Sequence, residues 1–181
     1  MKYLFLIALS LAFFSCNSDK KMSWKGYDLP EARAHILLPS AFKHSSNTEI
    51  TPFGELKQAT FYWRNPSWYV GDLGLKLVSF SSMALPAVHM PAPEEALEQY
   101  FRHFQQRHGL EQAPGIYTFR SGNMIGKDLQ ATTYNGKDDS LVSYVRILVA
   151  GRHIYELYIN GYQQHFDTAL ARRFLNSLRP Y

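Results

Sequence analysis

The sequence predicts an α+β domain, an antiparallel β-sheet with helices packed on it. Two segments repeat apolar residues at the helical period, seven others read as strands, and turn residues separate the later strands. The predicted order is three strands, a helix, four strands and a helix, a run that belongs to α+β architectures.

The first three strands are expected over 32–38, 56–64 and 74–83. The first helix is expected over 93–108, where Leu97, Tyr100, Phe101 and Phe104 fall at i, i+3, i+4 and i+7. Pro93 suits the first helical turn, Glu94 and Glu95 suit its positive end, and Gly109 stands where a C-cap glycine belongs. Glu98 and Arg102 have the spacing of a helical ion pair.

Four further strands are expected over 116–120, 127–134, 141–149 and 153–159. Ser121-Gly122-Asn123, Asn135-Gly136 and Ala150-Gly151-Arg152 supply the turns between them, so the last three strands read as a meander. The last strand is apolar on both faces, with Tyr155, Leu157 and Ile159 on one and Ile154 and Tyr158 on the other. That pattern predicts a sheet covered at least partly on both sides. A second helix is expected over 163–178, with the stripe Phe166, Ala169, Leu170, Phe174 and Leu178, and with Pro180 as its stop.

The chain has 181 residues, a length that suits one domain, and its 46% hydrophobic content suits a packed core. The net charge of +4 comes from scattered Lys and Arg rather than one basic face, so no nucleic-acid partner is expected. With a single cysteine, Cys16, neither an intrachain disulfide nor a thiolate metal cluster can form.

Residues 1–15 read as a signal peptide: Lys2 supplies the positive start, and an apolar run over 4–14 is too short to span a bilayer. The run ends at Phe14-Ser15-Cys16 and is followed by polar residues, a junction that resembles the lipobox of bacterial lipoproteins. The resemblance implies acylation of Cys16, cleavage before it, and a membrane anchor. Asp19 is the one acidic residue before Lys20 and Lys21, and without an acidic cluster that would suggest export to the cell surface the anchor is expected to face the periplasm. Residues 16–27 are then a polar tether and 28–181 the domain.

Ala34 through Phe42, with its Pro-x-x-Phe turn, carries a second resemblance. So do the mid-chain amphipathic helix, the Gly151 hairpin tip before Tyr155-Glu156-Leu157-Tyr158, and the closing stretch Phe166 to Leu178. Together they resemble the PsbP/Mog1-like fold, including its bacterial envelope members, over nearly all of 30–181. The resemblance implies an α/β/α sandwich and a non-enzymatic accessory or binding role.

The sequence holds no catalytic or metal-binding signature. None of the seven histidines forms an H-E-x-x-H pair, and neither a G-x-S-x-G elbow nor a phosphate-binding loop is present. No cofactor, metal or catalytic residue is therefore expected. The aromatic run around Asn65-Pro66 offers Tyr62, Trp63, Trp68 and Tyr69 as a platform for an envelope protein or polymer. The competing reading gives Phe61 and Trp63 to the core. A binding or assembly accessory is the expected function, with an enzyme acting on envelope glycans or peptides as the alternative. Converging polar residues with shifted pKa values in a pocket would favour the enzyme.

Overall fold

A computed structural model describes residues 22–65, 74–88, 91–111, 113–134 and 140–181. The chain runs through β1 (Trp24–Leu29), β2 (Ala34–Pro39), β3 (Lys43–Thr51), β4 (Gly54–Arg64) and β5 (Leu75–Ala84). Helix α1 (Pro93–His108) follows, then β6 (Ile116–Ser121), β7 (Met124–Tyr134), β8 (Ser140–Ala150) and β9 (His153–Tyr162). Helix α2 (Thr168–Leu175) and β10 (Arg179–Pro180) close it.

The strands form two antiparallel sheets. The large one has the order β3-β4-β5-β9-β8-β7-β6, and the small one β1-β2-β10. The predicted meander is present as β7-β8-β9, and β5 joins it by pairing along β9 from Leu75↔Gly161 to Ala84↔His153.

Strand alternation divides the large sheet into two faces. On one, Phe61, Val78, Phe80, Tyr155, Leu157 and Ile159 meet Ile36 and Leu38 of the small sheet and Phe174 and Leu175 of α2. Phe61, Phe80 and Tyr155 stack in series across β4, β5 and β9 at centroid spacings of 6.0 and 6.1 Å. On the other face, Met83, Leu129, Val145, Ile147 and Ile154 meet Leu97, Tyr100, Phe101 and Phe104 of α1. The sheet is therefore covered on both sides, as the last strand's pattern predicts. Each large apolar side chain so buried contributes about 1.5–3 kcal/mol.

Helix α1 has the predicted bounds. Pro93 opens it, and Gly109 closes it in the left-handed conformation (φ 64°), donating its N–H to Gln105 and Gln106 carbonyls. Glu98 reaches across to Lys127 on β7, at 2.6 Å, instead of along the helix to Arg102.

Four expectations are corrected. Trp24 to Tyr27, assigned to the tether, are part of β1, because pairing with β2 and stacking of Trp24 on Phe174 (6.0 Å) hold them in place. Strand β3 was not predicted: its residues from Lys43 to Thr48 are all exposed, so no apolar alternation marks it. β10 is a two-residue pairing to β2, too short to carry a period. Helix α2 begins later than predicted. The Asp167 carboxylate accepts from the Leu170 N–H at 2.9 Å and caps it there, while Gln163–His165 form a separate 3-10 turn.

Candidate functional site

Helix α1 covers only part of its face of the large sheet. Beside it lies an open groove of about 890 Å³. Its floor comes from alternate residues of three strands: Gln58, Thr60 and Tyr62 of β4, Ser79 and Ser81 of β5, and Tyr158 of β9. Phe104 and His108 of α1 form one wall, and Ser45 and Asn47 of β3 belong to the other.

The floor is a field of neutral groups that both donate and accept. Thr60 and Ser81 pair across strands at 3.0 Å, their registers being directly opposed. The Tyr158 hydroxyl meets Ser143 Oγ at 3.0 Å and accepts from the Asn160 amide at 3.0 Å. Asn160 Oδ1 is buried without a partner among the described residues.

A charged cluster closes the helix end of the groove. Glu156 points from β9 toward α1, where the Tyr100 hydroxyl donates to its Oε1 at 2.5 Å and Arg107 Nη2 donates to the same atom at 3.1 Å. Arg107 Nη1 also donates to Glu49 Oε1 of β3, and the Tyr100 hydroxyl lies 3.3 Å from that atom. His103 Nε2 stands 3.7 Å from Glu49, beyond hydrogen-bond range, and is buried without a hydrogen-bond partner among the described residues.

Burial pushes the Glu156 carboxyl above its ordinary value, against the pull of Arg107 and the Tyr100 hydrogen bond. Burial also raises the Tyr100 phenol, and the charges of Glu156 and Glu49 add to the rise. His108 is lowered by burial, then by Arg107 and His103. Both carboxylates are engaged by the same guanidinium and lie against the same phenol. The cluster therefore ties α1 to β3 and β9. Among the described residues no three His, Cys, Asp or Glu side chains gather as a metal site.

The structure separates the predicted platform residues. Tyr62 lines the groove, whereas Trp63, the next residue on β4, points to the opposite face and packs against the core with Phe61. These two cannot form one platform, because neighbouring strand residues face opposite ways. Trp68, Tyr69 and Cys16 lie outside the described residues.

Glu49, Glu156, Tyr100 and Arg107 were not marked as site residues in the sequence. The available signal was a lone carboxylate, Glu156, between Tyr155 and Leu157 in an apolar strand, together with a tyrosine on a helix's buried stripe. Each of those groups needs a partner when buried. Among the described residues no helix is long and apolar enough to cross a membrane.

No protein-family model matches the chain. No curated protein matches its sequence. Solved structures do match. The solution structure of cyanobacterial PsbP (CyanoP) from Synechocystis sp. PCC 6803 is 11% identical with a TM-score of 0.55, covering 92% of this chain and 98% of that one. The Ran-binding protein Mog1p of Saccharomyces cerevisiae is 12% identical with a TM-score of 0.45, covering 87% of this chain and 95% of that one. At such identity the likeness to cyanobacterial PsbP speaks for architecture alone. The domain has a PsbP-like fold.

Proposed function

We propose that this chain is a lipid-anchored protein of the bacterial cell envelope that binds a hydroxyl-rich envelope glycan without cleaving it. The observation that carries the reading is the groove beside α1. Its floor offers Gln58, Thr60, Tyr62, Ser79, Ser81 and Tyr158, neutral groups that can each donate and accept. Sugar hydroxyls require that dual capacity. Phe104 in the wall and the rings of Tyr62 and Tyr158 add flat apolar surface for a sugar face.

The groove does hold ionisable groups with shifted pKa values, the sign set out above as favouring an enzyme. Their arrangement argues for binding instead. Glu156 and Glu49 converge on Arg107, an arrangement that links α1 to β3 and β9 and so has a structural reason of its own.

The anchor rests on the apolar run over 4–14 and on Cys16 directly after it. Acylation with more than one chain would hold the protein firmly. Lipidation predicts an intact mass equal to residues 16–181 plus acyl chains, lost in Cys16→Ala. Glycan binding predicts co-sedimentation of the full chain, in neutral detergent, with insoluble cell-wall glycan. Tyr62→Ala should weaken it about tenfold. Co-sedimentation unchanged by Tyr62→Ala, or release of soluble sugar fragments, contradicts the reading.

A further inference from the structure

A second cleft, of about 580 Å³, lies where the Ser121 to Met124 turn and the Ala150 to His153 turn meet the end of the small sheet. Its lining carries Arg33, Arg152, Arg179 and His153 with Asn123 and Tyr181, and no Asp or Glu side chain. None of the three arginines forms an ion pair with an Asp or Glu side chain among the described residues, whereas Arg107 and Arg146 each meet a carboxylate.

Two of the guanidiniums are held in place by backbone carbonyls. Arg152 Nη2 donates to the Leu85 carbonyl at 3.0 Å, and Arg179 Nη1 donates to the Asn176 and Leu178 carbonyls at 2.8 Å each. Carbonyls fix their position without neutralising their charge. Arg33 is the one non-glycine residue with positive φ (50°) among the described residues. The left-handed conformation costs a residue with a Cβ about 1–2 kcal/mol, and glycine almost nothing. The chain thus keeps a costly residue at a position a glycine would fit, and its side chain lines the cleft. Its carbonyl accepts from the Tyr181 N–H at 3.1 Å and the Tyr155 hydroxyl at 3.3 Å, which fixes the strained backbone.

We infer that this cleft binds a phosphorylated ligand, with Arg33, Arg152 and Arg179 as its charge-bearing residues. Three guanidiniums gathered in one cleft suit a phosphoryl dianion or a pyrophosphate better than a single carboxylate. The guanidinium fork matches phosphate oxygens in pairs. Burial lowers the His153 imidazole below its ordinary value, and the charges of Arg33 and Arg152 lower it further, so this ring senses the cleft's field.

Position selects between two sources of phosphate. Arg33 adjoins Ala34, the β2 residue paired with Leu29, whereas the chain leads off toward Cys16 at Trp24, paired with Pro39. Five strand steps, about 17 Å, separate the two ends. Resting on the anchor at Cys16 proposed above, this places the cleft at the end of β1 remote from the tether, which favours a soluble phosphorylated molecule over headgroups as the ligand.

The test uses the full chain in neutral detergent micelles and follows the His153 ring signals by NMR during titration with inorganic pyrophosphate. The inference predicts a saturable shift, an upward move of the His153 titration midpoint as bound anion offsets Arg33 and Arg152, and no such shift with acetate at equal ionic strength. Arg33→Gly should weaken binding at least tenfold while melting at the same or a higher temperature. Arg152→Gln should weaken it similarly. No saturable shift, an equal response to acetate, or unchanged affinity in both variants overturns the inference. In a second arm, micelles doped with phosphatidylglycerol should leave the His153 signals in place. A shift there without a pyrophosphate response assigns the phosphate to headgroups and overturns the soluble ligand.

Discussion

Glu156 occupies a position on β9 that an apolar residue would fill at no electrostatic cost. Removing a carboxylate from water is expensive, and the site answers with two donors, Tyr100 and Arg107, on one oxygen. Tyr100→Phe removes the shorter of these bonds and should cost about 1–3 kcal/mol, read by chemical denaturation. Glu156→Gln has a pH signature. Burial raises the folded pKa of Glu156, so the folded state holds this proton more tightly than the unfolded chain. Its contribution is then complete below the ordinary value of 4.5 and is lost as pH rises through the raised pKa. The glutamine variant should therefore gain stability relative to wild type as pH rises from 4 to 7. A constant difference would mean that the carboxyl titrates alike in both states.

At the scale of elements, α1 joins the core to the groove. Its buried stripe was legible because Leu97, Tyr100, Phe101 and Phe104 fix one face by spacing alone, and Pro93 and Gly109 mark both ends chemically. Phe104 packs into the core and also forms part of the groove wall. Phe104→Ala should cost about 3–5 kcal/mol in stability, measured by denaturant unfolding. Strand β3 shows the opposite case. Its Lys43-His44-Ser45-Ser46-Asn47-Thr48 run is polar on both faces, so nothing in its own sequence distinguishes it from a loop. Register with β4, from Lys43↔Tyr62 to Thr51↔Gly54, makes it a strand. The Thr51 hydroxyl, donating to the Gly54 carbonyl at 2.8 Å, secures the turn. Glu49 reaches the cluster only through that pairing, and the groove wall was illegible for the same reason. The sequence marked Tyr62 as a binding residue but joined it to Trp63, because an aromatic run was read as one surface where strand alternation splits it in two.

At the scale of the molecule, the large sheet separates two sites with different chemistry. The groove beside α1 is lined mainly by neutral hydroxyl and amide groups, with Arg107 paired to Glu49 and Glu156, while the cleft at the end of the small sheet gathers three arginines that meet no Asp or Glu side chain among the described residues. Fold class and layer coverage were legible because apolar periodicity sets them. Neither site was, since each gathers side chains from strands distant in sequence: Thr60 beside Ser81, Arg33 in the same cleft as Arg152. A PsbP-like architecture supplies this frame and leaves the ligand to side chains particular to this chain.

Glycan binding in the groove without turnover is the property on which the proposed function stands. The most direct measurement titrates the full chain in neutral detergent with soluble cell-wall glycan fragments, maps the NMR shifts, and analyses the recovered fragments by mass. Binding without cleavage should give saturable shifts centred on Tyr62, Ser79, Ser81 and Tyr158, with every fragment recovered intact. Shifts confined elsewhere, no shifts, or cleaved fragments would contradict it.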